Sequence, residues 1–322
     1  MEKTSLPEQK VDLLSIPDYF PPIPFPSDNT FTEERWTLGK ALFYDKALSR
    51  NETVSCGSCH KPHLAFSDDV AVSLGDLNTL GRSNAPSLTN IGYNPYFTRA
   101  GGVPTLEMQV NVPIQEHDEF NFNIVDIVER LKDNAYYQDA SLKAYNRDLD
   151  PYVITRAIAT FERSIISGNS PYDKFTYQNK PEALSTAEKK GMDLFFSSRT
   201  NCSECHSGFN FSTYAFENNG LHERYSDSGR MRITKAESDR DKFKVPTLRN
   251  VELTSPYMHD GSLKTLTEVV EHYNTGGVNH KNKSQFIKAL QLTEEEKTNL
   301  VAFLKSLTDY EFANQSKYKP EQ

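Results

Sequence analysis

Residues 56–60 read CGSCH, and residues 202–206 read CSECH. All four cysteines of the chain, Cys56, Cys59, Cys202 and Cys205, lie in these two stretches. Two thiols in a Cys-x-x-Cys pair can each add to one vinyl group of a haem, and a histidine directly after them reaches the iron from the same side. A zinc site made of the four cysteines is a rival reading. It fails because the two pairs lie much farther apart than zinc-ligand spacings, and because it leaves both histidines without a task. A redox Cys-x-x-Cys needs no following histidine. The reading is therefore two covalent c-type haems, with His60 and His206 as proximal ligands. Haem of this kind is attached on the outer side of the bacterial inner membrane, so a periplasmic or outward-facing protein is expected.

The rest of the sequence is organised around these motifs. The polar start, MEKTSLPEQK, lacks the apolar run of an export signal, so the signal is expected to be absent from this sequence. Residues 1–30 are proline-rich and read as an extended arm. Helices are expected after Thr32, over 124–145 and over 151–166, where Val153, Ile154, Ala157, Ile158, Phe161 and Ile165 recur at helical spacing. The stretch SGNSPYDKF reads as a domain junction. Capping boxes at 185–188, 265–268 and 293–296 open three further helices. Residues 44–120 are mostly loop, and a loop that long usually wraps something functional. No strand pattern exceeds a minor hairpin. The expected fold is all-α, with helix, CxxCH, loop and helices occurring twice, over 31–167 and 168–322. A net charge of −8 with a pI of about 5.6 excludes a polyanion partner. No apolar run is long enough to span a membrane.

A six-coordinate haem passes electrons, whereas an open one can bind peroxide or oxygen. The loop after the first CxxCH has no methionine before Met108 and only His63 close by, so the first haem has no obvious sixth ligand there.

The ordered set CGSCH, RSNAPSLTN, LEMQ, NCSECH, VPTLRNVELTSPYMHDG and HYNTGG resembles the bacterial di-haem cytochrome c peroxidases, including their MauG-type relatives, over about residues 20–310. The resemblance implies two cytochrome c-like domains, the N-terminal haem peroxidatic and the C-terminal one handling electrons. It places Gln109 and Glu119 in the distal pocket of the first haem, with Pro113 between them. Glu119 would act as acid and base, moving a proton from one peroxide oxygen to the other. From the residues alone, Glu119 reads as a solvated charge. Asp76 occupies the position of the histidine that closes the resting haem in many family members. It reads as solvated, which leaves the first iron open. Tyr273 occupies the axial-ligand position of the second haem, a methionine in the common peroxidases and a tyrosine in MauG-type enzymes. Met258 and His272 are rival ligands, and Leu266, Val269, Val270 and Tyr273 also read as a plain core stripe. The resemblance further implies Ca²⁺ between the haems, held by Asn84 and the carbonyls of Thr254 and Pro256. It sets Arg249 near a haem propionate. Arg99 stands where the family usually places a tryptophan between the haems, which leaves Tyr96 or Phe97 as possible stepping stones; the only tryptophan, Trp36, lies elsewhere.

Three functions compete at this stage. The first is a peroxidase that reduces hydrogen peroxide with electrons from a small cytochrome or cupredoxin. The second is a MauG-type enzyme that oxidises aromatic residues of a partner protein. The third is a non-enzymatic di-haem electron carrier, which the missing sixth ligand disfavours. Family members commonly form dimers, so a homodimer is admissible.

Overall fold

The structure is a computed structural model that describes residues 12–320. The stretch MEKTSLPEQK lies outside them. The fold is helical, and among the described residues its one sheet pairs Phe216–Glu217 with Phe243–Lys244. No described helix is long and apolar enough to cross a membrane.

Each half of the chain rests on a crossed helix pair. In the first half α1 (Glu33–Tyr44) is capped by Thr32, whose Oγ1 accepts from Arg35 N at 3.2 Å. It is followed by the single turn α2 (Cys56–Cys59), then α3 (Leu106–Gln109) and α4 (Pro151–Arg163). In the second half come α5 (Thr186–Phe195), the turn α6 (Cys202–Cys205), α7 (Leu266–Thr275) and α8 (Glu294–Lys305). Helix α1 packs on α4 and α5 on α8, each at a glycine. A Cβ at Gly39 would land on the Ala157 carbonyl, and a Cβ at Gly191 on the Asn299 carbonyl. The expected helix over 124–145 is two helices, Ile124–Leu131 and Ala135–Tyr145. Asn134 starts the second by accepting from Tyr136 N and Tyr137 N at 3.0 and 3.4 Å, because an asparagine side chain competes with the helical backbone for donors.

The two halves repeat each other in detail. Asn90 and Asn250 both adopt the left-handed conformation, with φ of 56° and 61°, and each starts a short 3₁₀ turn. The bridges Phe97–Val103 and Tyr257–Leu263 then match, as do the positive φ angles of Thr98 and Met258 and of Gly101 and Gly261. Thr105 and Thr265 cap α3 and α7. In this register Pro113 corresponds to Tyr273, Arg99 to His259, and Asn84 to Lys244. The repeats also cross-link: Asn84 N donates to His259 O at 2.9 Å, and Lys244 N to Arg99 O at 2.8 Å.

One core gathers Trp36, Leu42, Phe43, Phe66, Ile154 and Phe161, and another Phe195, Phe211, Leu266, Leu300 and Phe303. The division by chain order is not clean. Phe312 and Tyr318 pack in the first core, not the second. The described part of the arm is extended, and Phe20 and Ile23 bury against Ile166 at the junction.

Candidate haem-binding active site

Both CxxCH motifs open into one cavity of about 780 Å³, lined among others by Cys56, Cys59, His60, Cys202, Cys205 and His206. All four thiols are free. One helical turn sets each pair of cysteines on the same face. Ser55 and Ser58 form a capping box on the first turn, with Ser55 N donating to Ser58 Oγ at 2.9 Å. His60 follows with its N–H on Cys56 O and its Nδ1 on Phe66 O at 2.8 Å. His206 repeats this, with Nδ1 on Phe211 O at 3.1 Å. Phe66 and Phe211 both have positive φ, which turns their carbonyls back toward the rings. A ring that donates from Nδ1 offers a lone pair at Nε2, the arrangement a metal-ligating histidine needs. Burial favours the neutral ring in both, lowering the His206 pKa to about 4.

The first half supplies a polar wall. Gln109 and Glu119 both line the cavity, with Val110, Val112 and Pro113 between them. Gln109 Oε1 is buried and has no hydrogen-bond partner. Glu119 keeps accessible surface where it lines the cavity. Surrounding protein, then Glu116 and Asp118, raise its carboxyl pKa above the ordinary value. Asp76 corrects the expectation of a solvated side chain. It is 3% exposed and accepts from Thr53 Oγ1 at 2.6 Å, Asn51 Nδ2 at 2.7 Å and Asn51 N at 3.0 Å. Burial pushes this carboxyl up, but those donors outweigh it and hold the pKa below the ordinary value. Its own N–H donates to Glu119 O at 2.7 Å. Asp76 thus ties the loop down instead of reaching the cavity.

The second half supplies a different wall. Tyr273 and Met258 line the cavity, and both meet Asn219. Asn219 Nδ2 lies 3.2 Å from Met258 Sδ and 3.4 Å from Tyr273 Oη. Burial raises the Tyr273 phenol to about 12. The rival His272 is not among the lining residues, and its Nε2 meets Asn219 O at 3.0 Å.

Two of the expected roles are corrected. Arg249 is not a lining residue. Its guanidinium forms a two-pronged pair with Asp173, at 2.8 and 3.0 Å, and its Nε donates to Phe209 O at 2.7 Å. It braces the domain junction. The calcium site does not fit either. Asn84, Thr254 and Pro256 do line the cavity, but Asn84 Oδ1 accepts from Arg99 Nη2 at 3.2 Å and Asn84 O from the same nitrogen at 2.7 Å. The remaining donors are two backbone carbonyls, which Ca²⁺ accepts but which bring no negative charge to offset the guanidinium. Unit charges about 4 Å apart interact by about 4 kcal/mol at an effective dielectric of about 20, and a divalent ion doubles the repulsion from a guanidinium.

Sequence reasoning missed three lining residues. Glu162 is 8% exposed, its Oε2 has no partner, and burial raises its carboxyl to about 8. Asn219 and Lys244 are the others. The apolar stripe of α4 conceals Glu162, and nothing local marks Asn219 or Lys244. Of the stepping-stone residues, Phe97 lines the cavity, whereas Tyr96 is an exposed residue outside it. Trp36 is core, donating to Ser164 Oγ at 2.7 Å.

Haem suits this cavity. It would bring carboxylates toward Arg99 and Lys244, which line it and form no carboxylate ion pair among the described residues, and iron toward His60 and His206. The fold and the CxxCH turns define the class of c-type haem proteins. Residues 33–181 match the family described as di-haem cytochrome c peroxidase. The MauG protein of Methylorubrum extorquens is 35% identical over 88% of this chain and 81% of its own length. The cytochrome c551 peroxidase of Nitrosomonas europaea is 34% identical over 84% of this chain and 79% of its own. A solved structure described as a MauG-like protein associated with microbial copper homeostasis superposes with a TM-score of 0.89, at 34% identity, over 94% of this chain and 97% of that one. The chain belongs to the di-haem cytochrome c peroxidase family.

Proposed function

We propose that the protein is a di-haem c-type peroxidase that reduces hydrogen peroxide to water. Each half of the chain holds one haem, through Cys56, Cys59 and His60 and through Cys202, Cys205 and His206. The observation that carries the reading is the asymmetry of the cavity. One half faces it with an unpartnered acceptor, Gln109 Oε1, and an accessible carboxyl, Glu119. The other half faces it with the buried phenol of Tyr273.

Bound haems would supply the iron at which peroxide binds and electrons are stored. The residues manage the protons. Gln109 Oε1 accepts a hydrogen bond from peroxide and orients it. Ionised Glu119 takes the proton from one peroxide oxygen and delivers it to the other. One peroxide, two electrons and two protons yield two waters, the electrons coming from a small cytochrome or cupredoxin. Tyr273 is the proposed second-haem ligand, its phenolate stabilised by Asn219 Nδ2, with Met258 adjacent. A phenolate ligand favours oxidised iron and lowers the reduction potential. The covalent haem attachment supports a periplasmic or outward-facing location.

A second reading is favoured by Asp76 and Tyr273 together. With Asp76 locked in hydrogen bonds, no side chain at that position closes the first site. A MauG-type protein that passes oxidising equivalents to aromatic residues of a partner would share both features. One equivalent of hydrogen peroxide, added to the fully ferric holoprotein without reductant, tests the open site. Immediate loss of the high-spin ferric EPR signal is expected. No change until one haem is reduced would overturn it. Steady-state turnover with cytochrome and copper-protein donors then separates the two readings, because only the peroxidase consumes donor catalytically.

A further inference from the structure

The two repeats meet at four residues that line the cavity: Asn84 and Arg99 from the first, Lys244 and His259 from the second. Two of the four are cations. Arg99 donates through Nε at 3.2 Å and Nη2 at 2.7 Å to Asn84 O, and through Nη2 at 3.2 Å to Asn84 Oδ1. Lys244 Nζ crosses to the other repeat and donates to Tyr96 O at 2.7 Å. Neither cation is within ion-pair distance of a carboxylate among the described residues, and both line the cavity. His259, in the repeat position of Arg99, stacks on Phe243 at 4.3 Å between ring centres. Burial keeps His259 neutral, with its pKa near 4, so it adds no charge.

We propose that the junction between the two haem sites is held by the protein's own cations, Arg99 and Lys244, in place of a divalent metal ion. Arg99 occupies the oxygens of Asn84 that such an ion would need. Arg99 and Lys244 line the cavity without a carboxylate partner among the described residues, and their charge would face the carboxylates of a bound haem. A guanidinium presents a planar fork suited to carboxylates, and an ammonium a mobile point charge. The cross-repeat bonds of Lys244, from N to Arg99 O and from Nζ to Tyr96 O, fasten one half to the other without metal.

The inference rests on the haem-site reading, and the test separates the two. Purified holoprotein, its haem content fixed by its optical spectrum, is dialysed against ~1 mM CaCl₂, the range of weak extracellular calcium sites. It is then desalted and measured for calcium by mass spectrometry. Fewer than about one ion per ten chains is expected, with EPR spectrum and Tm unchanged by EGTA. One calcium per chain, or a spectrum that shifts with EGTA, would overturn the inference while leaving the haem reading intact. Absence of covalent haem would instead defeat the haem reading. A second measurement compares R99Q with R99K by potentiometric titration of the holoproteins. R99Q is expected to show lower midpoint potentials than R99K, because it loses a cation beside the haems. Equal potentials in the two variants would remove the electrostatic role of Arg99.

Discussion

Glu119 shows how little a residue's type says about its work. In QEHDEF it is one acid among several, yet the fold brings it to the cavity that the unpartnered Gln109 also lines. Its proposed role as a base needs the ionised form, and its carboxyl pKa is raised. Peroxide turnover is therefore expected to fall as pH drops through that raised pKa. E119Q should lower kcat/KM by about 10²- to 10⁴-fold and abolish this acid limb, which a pH profile of kcat/KM checks. Glu162 has a different consequence. Its carboxyl is held near 8, so folding takes up a proton between the ordinary carboxylate pKa and about 8. Stability should fall as pH rises through that window, by up to a few kcal/mol. Melting curves of wild type and E162Q from pH 5 to pH 9 test this; E162Q should show the flatter profile. A parallel pair of profiles would mean that Glu162 keeps its ordinary pKa in the holoprotein.

Helix α7 and its counterpart explain why two similar halves make two different walls. From the cap at Thr265, α7 runs unbroken to Thr275, and Tyr273 falls on the face toward the cavity. The corresponding helix stops at Gln109, restarts over Asn111–Gln115, and has Pro113 in the place of Tyr273. A proline side chain cannot ligate iron, so at this matched position one half offers no ligating group and the other offers a phenol. Y273F is expected to keep both haems but lose the phenolate-to-iron absorption and raise the potential of one haem. An unchanged spectrum would hand the ligand role to Met258. The glycines at the crossings carry the other prediction. Alanine at Gly191 must push α5 away from the Asn299 carbonyl, and overpacking of this kind costs about 1–3 kcal/mol. Thermal melts of G191A should show the loss, with G39A behaving alike in the first half.

At the scale of the molecule, the sequence disclosed the chemistry better than the assembly. The two haem turns were legible because five adjacent residues carry the whole motif, and the helices because their periodicity and caps are local. Asp76, Arg249 and Arg99 were misjudged or unassigned because their partners, Thr53 and Asn51, Asp173, and Asn84, are set by folding and not by neighbours in the chain. The tail is the largest case. Residues 310–318 follow the second half but close the first: Phe312 and Tyr318 are each 1% exposed against Phe66. Tyr318 Oη donates to Ser164 O at 2.6 Å and accepts from Ile166 N at 3.4 Å, and Tyr44 Oη donates to Tyr318 O. Phe66 is also the residue whose carbonyl orients His60. The tail therefore acts as a strap over the wall behind His60, and the two halves cannot be separated at the junction without opening it. F312A removes a buried ring and should destabilise the protein by about 3–5 kcal/mol. The loss should fall on the first haem, because the cavity it leaves adjoins Phe66 and not Phe211. Denaturant titration followed by EPR is expected to show the high-spin signal of the first haem changing before the signal of the six-coordinate second haem. Simultaneous loss of both signals would mean that the strap stabilises the molecule as one cooperative unit.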